Sequence, residues 1–261
     1  MAVLESPSIV LRAIDFGESD RVITMLARTL GCVSALARGA RKSQKRFSGG
    51  LGLCAMGTAA FRERGGSELL TLERFELSDQ HASLSGDVLR MAHAAYAAEL
   101  LSKLCAPRQS EPGCFDLMKA FLDVLETNGP GAASLRVFEL ALLDQLGFAP
   151  VLDACAVCGR DDLSVGSEID ARWSPERGGI VCLGCGGRGR SMRPIVRLAL
   201  VRYASSSLSE IAGDKDEIRP DVAAGCRDAM AEIIASHVSA PLRSLEFLAK
   251  MESTLPGAAE S

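Results

Sequence analysis

Histidine is scarce in this chain, and several catalytic signatures are missing altogether. His81, His93 and His237 are the only three in 261 residues. None stands in the His-Glu-x-x-His spacing that puts two imidazoles on one helix face around a metal. Each reads as a surface or core residue rather than a catalyst. There is no Gly-x-Ser-x-Gly elbow, which argues against the hydrolase reading. One stretch grazes a phosphate loop at Lys42-Ser43, but Arg41 and Leu36 occupy the two glycine positions, so no phosphate cradle forms there. Long apolar runs are also lacking. The longest uncharged stretch, Phe47 to Phe61, has 15 residues and is broken by glycine, too short for a membrane span. Glu5, Arg12, Asp15, Glu18 and Asp20 interrupt the N-terminus, so nothing there reads as a signal peptide. The expectation is a soluble cytoplasmic protein that is not an enzyme and has no membrane partner.

A basic excess is missing as well. The net charge is −4, which by itself does not advertise a polyanion partner. The distribution says more. Residues 1–80 carry 11 Lys+Arg against 9 Asp+Glu, whereas the remainder carries 18 against 24. Five of the N-terminal cations fall within nine residues: Arg38, Arg41, Lys42, Lys45 and Arg46, with no acid among them. Such runs are often mere solvated surface. Here the run has one sign and stands out against an acidic chain. Phosphate is its natural ligand, because each neutralised phosphate releases condensed counterions. Phe47 either stacks on a base or anchors the loop to the core.

What the chain has in strength is a pair of Cys-x-x-Cys motifs, Cys155/Cys158 and Cys182/Cys185, separated by 23 residues. A two-residue gap lets both thiolates of a pair turn inward, and two such knuckles complete the tetrahedron of a structural Zn²⁺ site. Four protein sulfurs leave no open position for substrate. Gly159, Gly184, Gly186 and Gly187 surround the pairs and suit the positive φ of knuckle turns. Disulfides, or cysteines serving as small buried apolar residues, are the competing readings. The other five, Cys32, Cys54, Cys105, Cys114 and Cys226, are scattered and odd in number, which is easier to maintain in a reducing compartment. The segment from Cys155 to Arg190 has five arginines and five acids, a poor composition for a main DNA surface. Asp161-Asp162 reads as loop surface.

Residues 1–80 read as β-rich, with strands expected at 9–14, 21–26, 32–37, 53–61 and 69–75, separated by turn signals such as Gly49-Gly50 and Gly65-Gly66. Five short strands of this size fit an OB-fold barrel. From about residue 82 the period becomes helical. Helices are expected from Val88 to Leu104, ended by Pro107 and Pro112; from Phe115 to Leu125; and from an N-cap at Ser134 to Leu146, packed as one bundle. Helical signals resume at Pro194, then at 220–237 and 241–251, with a frayed tail after Pro256. The expected fold is therefore α+β: an N-terminal OB-fold domain over 1–80, and a helical domain over 81–261 interrupted at about 153–190 by a four-cysteine zinc ribbon containing Trp173 and a hairpin.

This order of parts resembles the RecO family of bacterial recombination mediators. The specific points are the Gly39-Ala-Arg-Lys-Ser43 loop, the segment Leu146-Gly-Phe-Ala-Pro-Val-Leu-Asp-Ala-Cys-Ala-Val-Cys-Gly159, and Arg243-Ser-Leu-Glu-Phe-Leu248. The resemblance implies a nucleoid-associated DNA repair protein that binds single- and double-stranded DNA and anneals complementary strands. It also implies partnership with RecR and with the C-terminal tail of single-stranded DNA-binding protein, helping RecA to load. Arg197 or Arg202 are candidates for a partner groove. The rival class is a zinc-ribbon docking adaptor that does not touch DNA; an enzyme built on a pocket of perturbed carboxylates is a third.

Overall fold

The computed structural model describes residues 3–43, 45–47, 50–63, 65, 67–161, 171–185, 189–213 and 218–254. Gln44, Gly49, Gly66, Asp162, Gly186, Gly187 and the tail after Pro256 lie outside them. The described residues form two compact units, one of residues 1–129 with 242–254, the other of residues 130–241.

The first unit starts with β1 (Val3–Phe16), β2 (Asp20–Ala27), β3 (Gly31–Ala37), β4 (Met56–Arg62) and β5 (Leu70–Asp79). They close on themselves in the order β1-β2-β3-β5-β4, with β3 and β5 parallel and the other pairings antiparallel. Period-2 patterning builds the interior: Ile23 and Met25 of β2, Val33 and Ala35 of β3, Ala59 and Phe61 of β4 and Leu70 and Leu72 of β5 meet in one buried cluster, and a register shift opposite Ala60/Phe61 brings Phe75 into it as well. β1 is longer than expected. It changes partners along its length, pairing with β4 over residues 3–9 and with β2 over 8–16. Pro7 is tolerated in it because its carbonyl turns toward Arg28 N, 2.8 Å away, so the missing N–H takes no bond from the β4 ladder.

Three helices follow: α1 (Ala82–Ser85), α2 (Val88–Leu104) and α3 (Pro112–Thr127). Asp87 caps α2, accepting from Leu89 N at 2.8 Å and Arg90 N at 3.2 Å. α2 lies against β1 and β2, where the outward-pointing Ile9 and Leu26 are fully buried. Burial on so many sides explains why α2 shows no narrow stripe: Ala92, His93, Tyr96, Ala98 and Leu101 are all buried. Pro112, expected to end a helix, opens α3 at its first turn, where a missing N–H costs nothing.

The second unit holds α4 (Ala132–Gln145), β6 (Ala171–Ser174), β7 (Gly179–Cys182), β8 (Arg190–Met192), α5 (Pro194–Ser205), α6 (Leu208–Gly213) and α7 (Pro220–His237). The expected single bundle of three successive helices is thus divided, α2 and α3 belonging with the strands and α4 with α5, α6 and α7. Ser134 is not the cap of α4. Gly131 holds that position, and the Ser134 hydroxyl donates to the Gly131 carbonyl from inside the first turn. β7, β6 and β8 form a small antiparallel sheet around the buried Trp173. Among the described residues no helix is long and apolar enough to cross a membrane.

The final helix, α8 (Arg243–Thr254), belongs to the first unit and packs on α2. Glu99 of α2 explains the docking. Its carboxylate accepts from Ser244 N at 2.8 Å, from the Ser244 hydroxyl, and from Arg243 N at 3.3 Å. These are orphan donors of a helix N-terminus. Burial pushes the Glu99 pKa up, but the Ser244 and Arg243 donors and the charge of Lys103 outweigh it and leave it below the ordinary value. A depressed folded pKa gives stabilisation that is present above the unfolded value of about 4.3 and is lost as pH falls through the folded value. Glu99→Gln is therefore expected to destabilise the protein at pH 7 by about 0.5–2 kcal/mol, the range for losing a helix-terminal acceptor. The deficit should vanish on acidification below the folded pKa. Thermal melts of both proteins across pH 2.5–7 check this; a deficit independent of pH contradicts it.

Candidate nucleic-acid interface and metal centre

The basic run leaves β3 and turns sharply at Gly39, whose φ of +64° favours glycine. Asp20 Oδ1 accepts the Gly39 amide at 2.8 Å. That bond, with help from Ser19 and Arg38, holds the Asp20 carboxyl below its ordinary pKa. Phe47 ends the run, 4% exposed within the barrel cluster beside Leu51. Of its two readings, anchoring is the one its position allows, since a base cannot reach a ring buried in the core. The Arg46 carbonyl accepts from Phe75 N at 2.9 Å, tying the loop to β5.

The five cations differ in their surroundings. Arg46 turns back into the loop: its guanidinium donates to the Arg38 carbonyl at 2.6 Å and lies 5.2 Å over the Phe47 ring. Arg41 is leashed loosely, donating to the Glu18 carbonyl at 3.3 Å with Asp15 3.9 Å from its Nε. Asp15 is held more closely by Arg21, at 2.8 Å. Arg38, Lys42 and Lys45 are exposed and form no ion pair among the described residues. Most other described arginines of residues 1–80 are matched: Arg28 with Asp116, Arg62 with Glu73, and Arg74 with Glu5 and Glu76. The uncompensated positive charge is concentrated where β3 ends.

The register adds residues that the sequence reading did not single out. Val10 and Met25 pair with both side chains inward, and a bulge follows between Val10 and Arg12. Beyond it Arg12 pairs with Thr24, Ile14 with Val22 and Phe16 with Asp20, while Thr24 and Val22 pair onward with Ser34 and Leu36 of β3. These positions share the outer face, because their neighbours Ile23, Met25 and Ala35 fill the interior. Phe16 is 58% exposed and Ile14 44%, an unusual pair of bare apolar side chains. Arg12 beside them is exposed and forms no ion pair among the described residues. The alternation Arg12-x-Ile14-x-Phe16 before Gly17 was visible in the sequence, but the bulge that decides its face was not.

The cysteines converge as their spacing predicts. The four Sγ atoms of Cys155, Cys158, Cys182 and Cys185 lie within 4.8 Å of one another, with Cys158 and Cys182 at 3.9 Å. Sulfurs at the corners of a tetrahedron with 2.3 Å metal bonds stand about 3.8 Å apart, so the donor set fits a metal ion. Gly159 turns the first knuckle at φ +70°. Gly184 does not repeat this: the second knuckle is a short 3-10 turn over Leu183–Cys185, and its glycine has no positive φ. Burial raises the Cys155 pKa, but amide donors from Cys158, Cys182 and Val157 bring it down to about 6. One ligand is thus held toward the thiolate form that metals bind. Cys155 N donates to the Arg160 carbonyl and Ala156 N to the Ile180 carbonyl, fixing the first knuckle against β7. Arg190 pairs with Glu232 at 2.9 Å, joining β8 to α7.

Arg197 is 2% exposed inside the second unit, so it cannot line an open groove as the sequence suggested. Arg202 is exposed.

Comparison with known proteins matches the parts in order. Residues 1–81 match the family described as recombination protein O N terminal, and residues 85–246 the one described as recombination protein O C terminal. A DNA repair protein RecO from Anaeromyxobacter sp. (strain K) is 39% identical over 243 residues, covering 92% of this chain and 93% of that one. The protein of the same name from Myxococcus xanthus is 32% identical over 250 residues, 95% of this chain and 97% of its own. That from Geobacter sulfurreducens is 31% identical over 253 residues, 96% and 99% respectively. With both halves matched and close relatives aligned nearly end to end, the chain belongs to the RecO family of DNA repair proteins.

Proposed function

We propose that this protein is a DNA-binding recombination mediator whose first 80 residues are an OB-fold domain and the main nucleic-acid surface. The strand order 1-2-3-5-4 supports that assignment. OB-folds take oligonucleotides on the face of strands 2 and 3 and on the loop between strands 1 and 2, which here carry Val22, Thr24 and Ser34, and Phe16. The observation that carries the reading is the cluster of exposed cations, Arg38, Lys42 and Lys45, which form no ion pair among the described residues, beside this face, with Arg41 only loosely held. Phosphates run along these residues and Arg12; Arg46 shapes the loop; a base stacks on Phe16. Annealing brings two polyanions together, and such a surface screens their repulsion without breaking a covalent bond. No nucleotide hydrolysis is involved.

The cysteine site in this proposal holds one structural Zn²⁺. Four thiolates suit zinc and leave no position for a reacting water, so the metal supplies rigidity and no catalytic step. Its role is to fold a segment with little apolar surface of its own, a contribution on the order of 10–16 kcal/mol in small zinc peptides. Family membership supports the wider assignment: partnership with RecR and with the tail of single-stranded DNA-binding protein, and help in loading RecA on coated strands. The adaptor reading would use the ribbon instead, where Val157 and Leu183 are exposed on the two knuckles.

Neutralising Arg41, Lys42 and Lys45 together is expected to weaken single-strand binding equally for all sequences. It should flatten the dependence of log affinity on log salt by about two, at roughly 0.7 per phosphate contact. Phe16→Ala should lower affinity by about 1–3 kcal/mol, the worth of one stacked base, and leave the salt slope alone. Fluorescence anisotropy at several salt concentrations reads both. Unchanged affinity at low salt in the triple variant would overturn the DNA surface and favour the adaptor. Separately, Cys155→Ser should cost about one zinc per chain and lower the melting temperature, with DNA affinity kept. Metal analysis, calorimetry and the same anisotropy assay test this; loss of DNA binding in step with zinc would contradict the division of labour.

A further inference from the structure

A second group of metal-ligating side chains lies in the first unit, whereas the two Cys-x-x-Cys pairs belong to the second. Asp79 ends β5, His81 precedes α1, and Glu126 sits in the last turn of α3. One ligand atom from each lies within 4.8 Å of the other two. His81 is 1% exposed, in the left-handed region at φ 46°, a conformation uncommon outside glycine.

The hydrogen bonds fix which ring nitrogen is free. His81 Nδ1 is 3.0 Å from the Cys54 carbonyl. A carbonyl only accepts, so Nδ1 carries the proton. In a neutral imidazole the lone pair then stands on Nε2. That atom is buried without a hydrogen-bond partner, and Asp79 Oδ2 lies 4.0 Å from it. A backbone carbonyl on one nitrogen, with the other left bare, is the arrangement by which proteins orient a metal-binding histidine.

The carboxylates are oriented too. Asp79 Oδ1 accepts the His81 amide at 2.8 Å, which leaves Oδ2 turned to the ring. Glu126 Oε1 accepts from the Ser83 hydroxyl at 2.8 Å. Two negative groups and a lone pair converge here. The nearby cations are bonded to other groups: Lys119 pairs with Asp123 at 2.9 Å, though its charge also reaches Asp79, and Arg90 holds the Glu126 backbone carbonyl at 2.8 Å and Asp87 at 3.5 Å. A first-row divalent cation that takes mixed imidazole and carboxylate donors would satisfy all three. The Asp79 side chain is 45% exposed and gives the ion a way in from solvent.

We propose that Asp79, His81 and Glu126 form a second metal site, which clamps the exit of β5 and the start of α1 to the end of α3. The site shares no residue with the DNA surface or with the cysteine centre.

Manganese tests it, because Mn²⁺ is paramagnetic and disfavours all-thiolate sites. The full-length protein, with its cysteine site loaded with zinc, is titrated with Mn²⁺ while the free-ion electron paramagnetic resonance signal is followed. Uptake of one Mn²⁺ per chain is expected. Glu126→Gln, which keeps an acceptor for Ser83, should weaken it at least tenfold, with an unchanged circular dichroism spectrum. In NMR of the wild type, bound Mn²⁺ should broaden the His81 ring resonances first. No saturable uptake up to millimolar Mn²⁺, equal affinity in Glu126→Gln, or a ring already protonated on both nitrogens at pH 7 without metal would each overturn the site. The last would mean that an imidazolium, not a metal, balances the carboxylates.

Discussion

Phe47 in the barrel interior is the contact on which the display of positive charge depends. A chain segment with five cations in nine residues repels itself and has no reason to hold one shape. Here both ends are fixed. At one end β3 delivers Arg38 into a turn held by Asp20 and Gly39. At the other, Phe47 is buried with Leu51 among Met25, Phe61 and Phe75. Full burial of such a ring contributes about 1.5–3 kcal/mol, more than surface repulsion between screened charges takes away. Arg46 closes the loop across its neck through the Arg38 carbonyl. What remains outside, Arg38, Arg41, Lys42 and Lys45, is held in place without being neutralised.

The two metal-ligand clusters answer a similar difficulty by different chemistry. The cysteine segment has short strands and much glycine, and its four sulfurs meet where the two knuckles face each other. The Asp79, His81 and Glu126 group lies where a strand, a one-turn helix and the end of a longer helix meet. Hydrophobic packing supports each element there, but polar ends gather at the junction. In both places the backbone orients the donors first, through amides to Cys155 and through the Cys54 carbonyl to His81.

Much of this was legible in one dimension. Strong periodicity located β2, β3 and α7 to within a residue, and the start of α5, because apolar spacing and an initial proline both mark such elements. The paired cysteines announced their own convergence, since a two-residue gap leaves little choice. What failed was context. Glu99 carried no local signal, because the donors it accepts come from α8, 144 positions along the chain. Ser134 looked like a cap because caps are read from residue type, whereas Gly131 held the position. Phe16 was invisible as a surface residue because one bulge, at Val10/Arg12, reverses which side of β1 faces out. Glu126 and His81 are 45 positions apart, and no local spacing could have joined them.

The central claim is that single-stranded DNA lies along the outer face of β1, β2 and β3 and the turn that follows them. Photo-cross-linking a short thymidine-rich strand to the full-length protein, then mapping the modified peptides, tests it most directly. Adducts within residues 12–16 and 38–46, suppressed by high salt, are the predicted result. Adducts confined to the cysteine segment at 155–190, with the strand face unmarked, would contradict the account.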